Sequence, residues 1–289
     1  MTCGKVNSHL LSQLFTAGTF RKVVGEGDFD PFLQLVHKNA EYLQINEGST
    51  NLDVIKKAYK HLDSNYRNEY FYKNVLFNSL IAERKLKNTV VLNELRINQS
   101  IADTVCLNGQ AVLYEIKTEL DTPEKLESQL RDYRKAFTKI FVVSHHSNYY
   151  KYYQFIKGEG IGLIVLDENS KLVEHTPAIE NGSYLEHAVL FKLLRKSEYT
   201  SLIKDWFGFV PEVPNTLYFK KSLELTKNIP IDDFQKLVVI ELKRRLPKEY
   251  KVGNIQNVPK ELRYICHMLN MKEEQYINLS KFLHFTFKI

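Results

Sequence analysis

Cysteine is scarce in this chain of 289 residues: Cys3, Cys106 and Cys266 stand far apart, and no Cys-x-x-Cys pair occurs. An odd, scattered set argues against a disulfide framework and against zinc, and it points to a reducing, cytoplasmic setting. Glycine and proline are also few, 12 and 8, which excludes a low-complexity or disordered chain. Apolar runs reach only about six residues, as in Ile161–Leu166, where a membrane helix needs roughly 20. No membrane partner is therefore expected. The N-terminus has no basic stretch followed by an apolar one, so no signal peptide is expected. What is present is enough to build a core: the chain is 44% hydrophobic, with 17 Tyr and 17 Phe. The net charge of +6 is mild; it serves solubility and also suits a polyanionic partner.

The stretch 93–117 carries the chemistry. Ile101–Cys106 and Gln110–Lys117 read as two strands joined through Asn108-Gly109, a hairpin signal. Glu115 and Lys117 are two apart, so they share a strand face. A two-residue turn would pair Leu107 with Gln110 and send Asp103 to the other side of the sheet. A three-residue loop would pair Cys106 with Gln110, place Gly109 in a left-handed slot, and bring Asp103 opposite Leu113 and diagonal to Glu115. The second register is the expectation. Two carboxylates and a lysine converging at a strand end suit a hard cation such as Mg²⁺, with Mn²⁺ as a substitute. Lys117 is then placed to orient water or to stabilise negative charge. An edge hairpin with a surface Glu–Lys pair is the plain alternative. The apolar Val112, Tyr114 and Ile116 on the opposite face favour an interior strand instead.

Asp103, then Glu115-Ile116-Lys117, then a Leu-x-x-Gln-Leu-x-x-Tyr helix containing Gln129 resembles the PD-(D/E)XK, or restriction-endonuclease-like, nuclease superfamily over roughly residues 66–145. Ala102 rather than proline precedes Asp103. The resemblance implies Asp103, Glu115 and the Ile116 carbonyl as metal ligands, Lys117, Glu115, Asp103 and Gln129 as catalytic residues, and both Gln129 and the sheet-facing Tyr133 near the active edge. It also implies that Glu69, on the helix before the sheet, completes the metal shell. Pairing of Glu69 with Arg67 or Lys73 is the alternative, and Glu94 on the first strand is a second candidate acid.

Helices are expected at Asp30-Pro31, after Thr50, over 66–87, and from Thr122-Pro123 to about Thr138. On this last helix Tyr133, Arg131, Arg134 and Lys135 are the candidate nucleic-acid contacts, although a solvated basic face reads the same way. Tyr149, Tyr150, Tyr152, Tyr153 and Phe155 form either a packed helix or a base-stacking surface. Beyond Pro177 the pattern is helical and carries most of the excess positive charge.

The expectation is an α/β (α+β) fold, with a restriction-endonuclease-like mixed sheet flanked by helices and helical extensions at both ends. It divides as 1–65, a helical region; 66–176, a nuclease-like core; and 177–289, a basic helical region. The expected activity is Mg²⁺-dependent hydrolysis of phosphodiester bonds in nucleic acid, DNA before RNA. Homodimerisation and a partner protein on the helical flanks are compatible with it. The alternative is a module that binds nucleic acid or protein and keeps the fold without cutting.

Overall fold

A six-stranded mixed sheet flanked by helices organises the molecule, with further helices at both ends. The structure is a computed structural model that describes residues 8–83, 89–245 and 255–287. Cys3 and the stretch 84–87, expected to end the long helix, lie outside the described residues.

The sheet runs in the order β1 (Val90–Ile97), β2 (Ser100–Asn108), β3 (Gln110–Lys117), β4 (Lys139–His145), β5 (Gly162–Leu166) and β6 (Leu172–Thr176). Strands β1 to β3 are antiparallel neighbours, β3-β4-β5 are parallel, and β6 returns antiparallel to β5. A parallel neighbour needs a crossover, and two helices supply them: α1 (Leu126–Arg134) between β3 and β4, and α2 (Tyr149–Ile156) between β4 and β5. Their apolar residues Leu126, Leu130, Tyr133, Tyr152 and Ile156 share one core with Val105, Leu113, Val142 and Leu163 of the sheet. Helix α1 is shorter than expected. Pro123–Lys125 forms a 3₁₀ turn, Thr122 makes no side-chain cap, and the helix closes at Arg134.

At Gly162 the strand leaves no room for a side chain. A Cβ there would lie 2.3 Å from the Phe141 ring and 2.9 Å from the Ala178 backbone nitrogen. Gly162→Ala should therefore cost about 1–3 kcal/mol, the usual penalty of overpacking, read as a lowered midpoint in urea.

The chain divides differently from the three successive regions expected. One compact unit comprises Met1–Lys87 with Pro247–Ile289, and the other Asn88–Leu246. The physical reason is pairing between distant segments. In the first unit Phe282 packs edge-on against Phe20 and Phe32, the buried Asn51 side chain donates to the Phe282 carbonyl, and Thr50 bridges Thr286. Its helices include Asp30–His37, Asn51–Asn65 capped by Thr50, Glu69–Glu83, and Glu273–Leu283, the last without a clear mark in the sequence. In the second unit the helices after residue 177 stay with the sheet. Val189, Leu190 and Phe191 of α3 (His187–Lys192) join its core, as do Tyr199, Leu202 and Ile203 of α4 (Lys196–Phe207) and Phe234 and Val238 of α6 (Ile231–Lys243). Between them lies α5 (Asn215–Thr226). Arg245, in the basic cluster after α6, makes a two-pronged contact with Glu198 and also donates to the Leu193 carbonyl. That part of the cluster is spent on holding helices together.

Candidate active site

The hairpin closes more tightly than expected. Thr104 pairs with Tyr114, Cys106 with Val112 and Asn108 with Gln110, leaving Gly109 alone at the turn with φ 69°. The expected Cys106–Gln110 pairing is corrected by two positions. Because side chains alternate with period two, a two-position shift leaves every face unchanged. Leu113 pairs with Val105, not with Asp103, and the ladder ends at the Thr104–Tyr114 pair, where Asp103 takes the Ile116 amide instead.

Strand β3 lies inside the sheet, between β2 and β4, and it nevertheless buries two charges. Glu115 is 2% exposed and Lys117 7%. The Lys117 ammonium donates to Glu115 Oε1 at 2.8 Å and to Gln129 Oε1 at 2.7 Å. Gln129 Nε2 donates to the same Glu115 oxygen at 2.6 Å. The Tyr133 hydroxyl lies 2.7 Å from Glu115 Oε2 and 2.8 Å from the Ile101 carbonyl. Helix α1 can deliver both groups because Gln129 and Tyr133 are four apart and so stand on one face of it. Burial, and then the Glu115 charge beside it, push the Tyr133 phenol well above its usual range, with Asp103 adding to the shift. Tyr133 is thus a neutral donor at physiological pH.

Asp103 is held differently. Its Oδ2 accepts the Ile116 backbone N–H at 2.8 Å, where the ladder between β2 and β3 stops. On its other side the pairing of β1 with β2 passes from Asn93–Thr104 to Leu95–Ala102 and skips Glu94 and Asp103. Glu94 has φ 54°, a left-handed conformation that costs a non-glycine residue on the order of 1–3 kcal/mol. Both ladders therefore open at Asp103. Glu94 faces it across this break, in the same unit of the chain.

Other expected site residues have partners of their own. Glu69 belongs to the first unit. Its carboxylate is 2.5 Å from the Lys73 ammonium in an i,i+4 pair, and its side chain is 60% exposed. Tyr133 does not contact solvent: its side chain is fully buried, so the expected nucleic-acid contact is replaced by the bond to Glu115. Arg131, Arg134 and Lys135 pair with Glu127, Glu159 and Glu186 respectively, so the basic face of α1 is matched charge for charge. His145 and His146 also go to separate carboxylates, Glu119 and Glu168.

The residue whose role the sequence reading missed is Tyr133 as a support for Glu115. The Gln-x-x-x-Tyr spacing on the helix after the Glu-x-Lys strand was the available signal. Tyr133→Phe would remove the one O–H shared between Glu115 Oε2 and the Ile101 carbonyl in a buried place. It should cost about 1–3 kcal/mol, the price of unsatisfied buried polar groups, measured by chemical denaturation. Unchanged stability would show that the hydroxyl holds nothing.

Among the described residues no group of three His, Cys, Asp or Glu is arranged as a ligand set. Magnesium does not need three, because it keeps several waters and is held through one or two carboxylates. Asp103 and Glu115 supply two: Asp103 is anchored on the amide of Ile116, the residue after Glu115, and Glu115 is held by Tyr133. An ionised carboxylate has about four lone-pair sites. Lys117, Gln129 and Tyr133 use three of those on Glu115 and leave room for a further bond. The oxygen-only donor set fits a hard divalent cation and does not fit zinc.

A family model described as Bacteriophage P4 protein cII matches residues 62–257, which include the whole sheet together with α1 and α2. No curated protein and no solved structure matches the chain.

Proposed function

The chain belongs to the bacteriophage P4 protein cII family, and we propose that it is a Mg²⁺-dependent nuclease of the PD-(D/E)XK type, acting on DNA before RNA. The observation that carries this reading is the buried Glu115–Lys117 pair on an interior strand, with the Asp103 carboxylate bonded to the amide of Ile116 between them. A buried ion pair is a poor way to stabilise a sheet. Apolar residues of similar volume are often neutral or better. Charges kept in such a place, beside a strained and opened stretch of ladder, are better explained by chemistry than by stability.

In this reading Asp103, Glu115 and the Ile116 carbonyl would hold Mg²⁺, with Mn²⁺ able to replace it. When bound, the ion supplies charge compensation for the phosphate and lowers the pKa of a bound water. Lys117 spends two of its three donors on Glu115 and Gln129, and the third is the one a phosphate oxygen or an attacking water would take. Gln129 fixes the Lys117 ammonium in place, and Tyr133 fixes the Glu115 carboxylate. Such positioning is worth most in a site from which water is excluded. No helix among the described residues is long and apolar enough to cross a membrane, which fits a nucleic-acid substrate met in solution.

The test is incubation of the full-length protein with supercoiled, linear and single-stranded DNA and with RNA, in Mg²⁺, Mn²⁺ or chelator. Cleavage that needs the metal and stops with chelator is the expected result. A protein that binds nucleic acid and cuts none of these with either metal would be a binding module on the same fold.

A further inference from the structure

Two Asn-Gly pairs occur in the chain, Asn108-Gly109 and Asn181-Gly182. An asparagine before a glycine can react with its own backbone, because the next amide nitrogen reaches the side-chain carbonyl carbon and no Cβ shields it. The fold treats the two pairs differently. Asn108-Gly109 closes the β2–β3 hairpin, with Asn108 paired to Gln110 across Gly109. No donor among the described residues bonds the Asn108 side chain.

Asn181-Gly182 lies in the connection between β6 and α3, where Asn181 and Ser183 are exposed. The Asn181 side-chain oxygen Oδ1 accepts two donors from one residue, the Ser183 amide at 2.9 Å and the Ser183 hydroxyl at 2.7 Å. This is an Asx turn that the hydroxyl reinforces. The segment is pinned on both sides of it. The Asn181 amide donates to the Thr138 carbonyl at 3.0 Å, and the Glu186 amide to the Lys135 carbonyl at 3.0 Å. The Gly182 amide donates to no acceptor among the described residues, so its proton is open to base.

We propose that Asn181 is a self-modification site, at which the Gly182 nitrogen displaces the side-chain amide as ammonia and water then leaves an aspartate or an isoaspartate. Nothing in it depends on the nuclease reading. A base in solution takes the Gly182 amide proton. The nitrogen adds to Asn181 Cγ, and negative charge develops on Oδ1. The Cγ–Nδ2 bond then breaks and ammonia departs with a proton from water, leaving a succinimide ring. Water opens the ring at either carbonyl. The two Ser183 donors already aim at the oxygen on which the charge develops, at separations that suit an oxyanion hole, about 2.7–3.1 Å. Asn108 lacks them and is held within a ladder, so it should persist. Conversion adds a carboxylate to a segment that already carries Glu180 and Glu186, next to Asp232, whose Oδ1 would be 3.2 Å from a Cβ at Gly182. Isoaspartate also lengthens the main chain between the anchors on Thr138 and Lys135, so those two bonds cannot both keep their geometry.

The experiment incubates the full-length protein in mildly alkaline water enriched in heavy oxygen, folded and in denaturant, and follows both Asn-Gly peptides by mass spectrometry. The proteins are wild type, Ser183→Ala, Ser183→Thr and Asn181→Gln. Ser183 is exposed, so thermal melting should be unchanged. In denaturant the two pairs should convert at similar rates. In the folded protein Asn181 should convert faster than Asn108 by about 10-fold or more, the joint effect of two oriented donors. Ser183→Ala should slow Asn181 by about 5-fold or more in the folded protein alone. That is less than the loss of about 10²-fold in an enclosed enzyme site, because this loop is open to water. Ser183→Thr should keep the rate, and Asn181→Gln should take up no heavy oxygen at this position. Folded Asn108 converting as fast as Asn181, no conversion of either, or a wild-type rate in Ser183→Ala would each overturn the proposal. So would the same slowing by Ser183→Ala in denaturant, since the fold would then contribute nothing.

Discussion

Replacing Lys117 by alanine should lower cleavage by about 10²-fold or more, the scale on which a single electrostatic stabiliser acts. It should also destabilise the fold, because the Glu115 carboxylate would remain buried at 2% exposure without the ammonium 2.8 Å away. Breaking one side of a buried ion pair costs on the order of 3–5 kcal/mol. The two effects separate in a double variant. Glu115→Gln with Lys117→Met removes both charges and should recover most of the lost stability while cleavage stays absent. Lys117→Arg should not restore cleavage: the planar guanidinium has neither the compact charge nor the geometry to replace a point donor between Glu115 and Gln129. Rates in Mg²⁺, urea midpoints and nucleic-acid affinity in Ca²⁺, taken on the same variants, decide the matter. A Lys117→Ala protein that cuts at the wild-type rate would remove the nuclease assignment from this site.

Asp103→Asn is expected to abolish measurable cleavage and to weaken Mg²⁺ and Mn²⁺ binding by more than 10-fold to 100-fold, roughly the loss seen when only an outer partner of a metal ligand is removed. The fold should survive, because an asparagine oxygen can still accept the Ile116 amide that Asp103 accepts at 2.8 Å. Calorimetry with Mn²⁺ and thermal melting with and without metal read the two properties separately. Wild-type metal affinity in this variant would show that Asp103 serves the backbone alone. Lys117→Ala and Asp103→Asn are therefore expected to fail in different ways, one chiefly in rate and the other first in metal binding.

Much of this site could be read in the residues themselves. The Asn108-Gly109 turn, the Glu-x-Lys spacing and the apolar Val112, Tyr114 and Ile116 are local signals, and each concerns neighbours within a few positions. The alternation of β3 by itself put Glu115 and Lys117 on one face and made the strand an interior one. The register was misjudged by two positions, since turn chemistry allows several closures and only packing against β1 and β4 selects among them. The basic face of α1 could not be judged from sequence either. The acids that neutralise Arg134 and Lys135 are Glu159 and Glu186, 25 and 51 positions further on.

The sequence by itself determined the kind of chemistry on offer: carboxylates and a lysine with no thiolate ligand set, placed on alternating strands that a helix bearing Gln129 and Tyr133 must follow. These properties are encoded locally, in composition and in periods of two and 3.6. Tertiary structure decided which of the candidates meet. It bonded Tyr133 to Glu115, paired Glu69 with Lys73, and opened both ladders at Asp103 opposite Glu94. It also joined the last helix to the first ones instead of to the sheet. Those outcomes depend on contacts between residues far apart in the chain, where burial and charge pairing compete and no local pattern carries the answer.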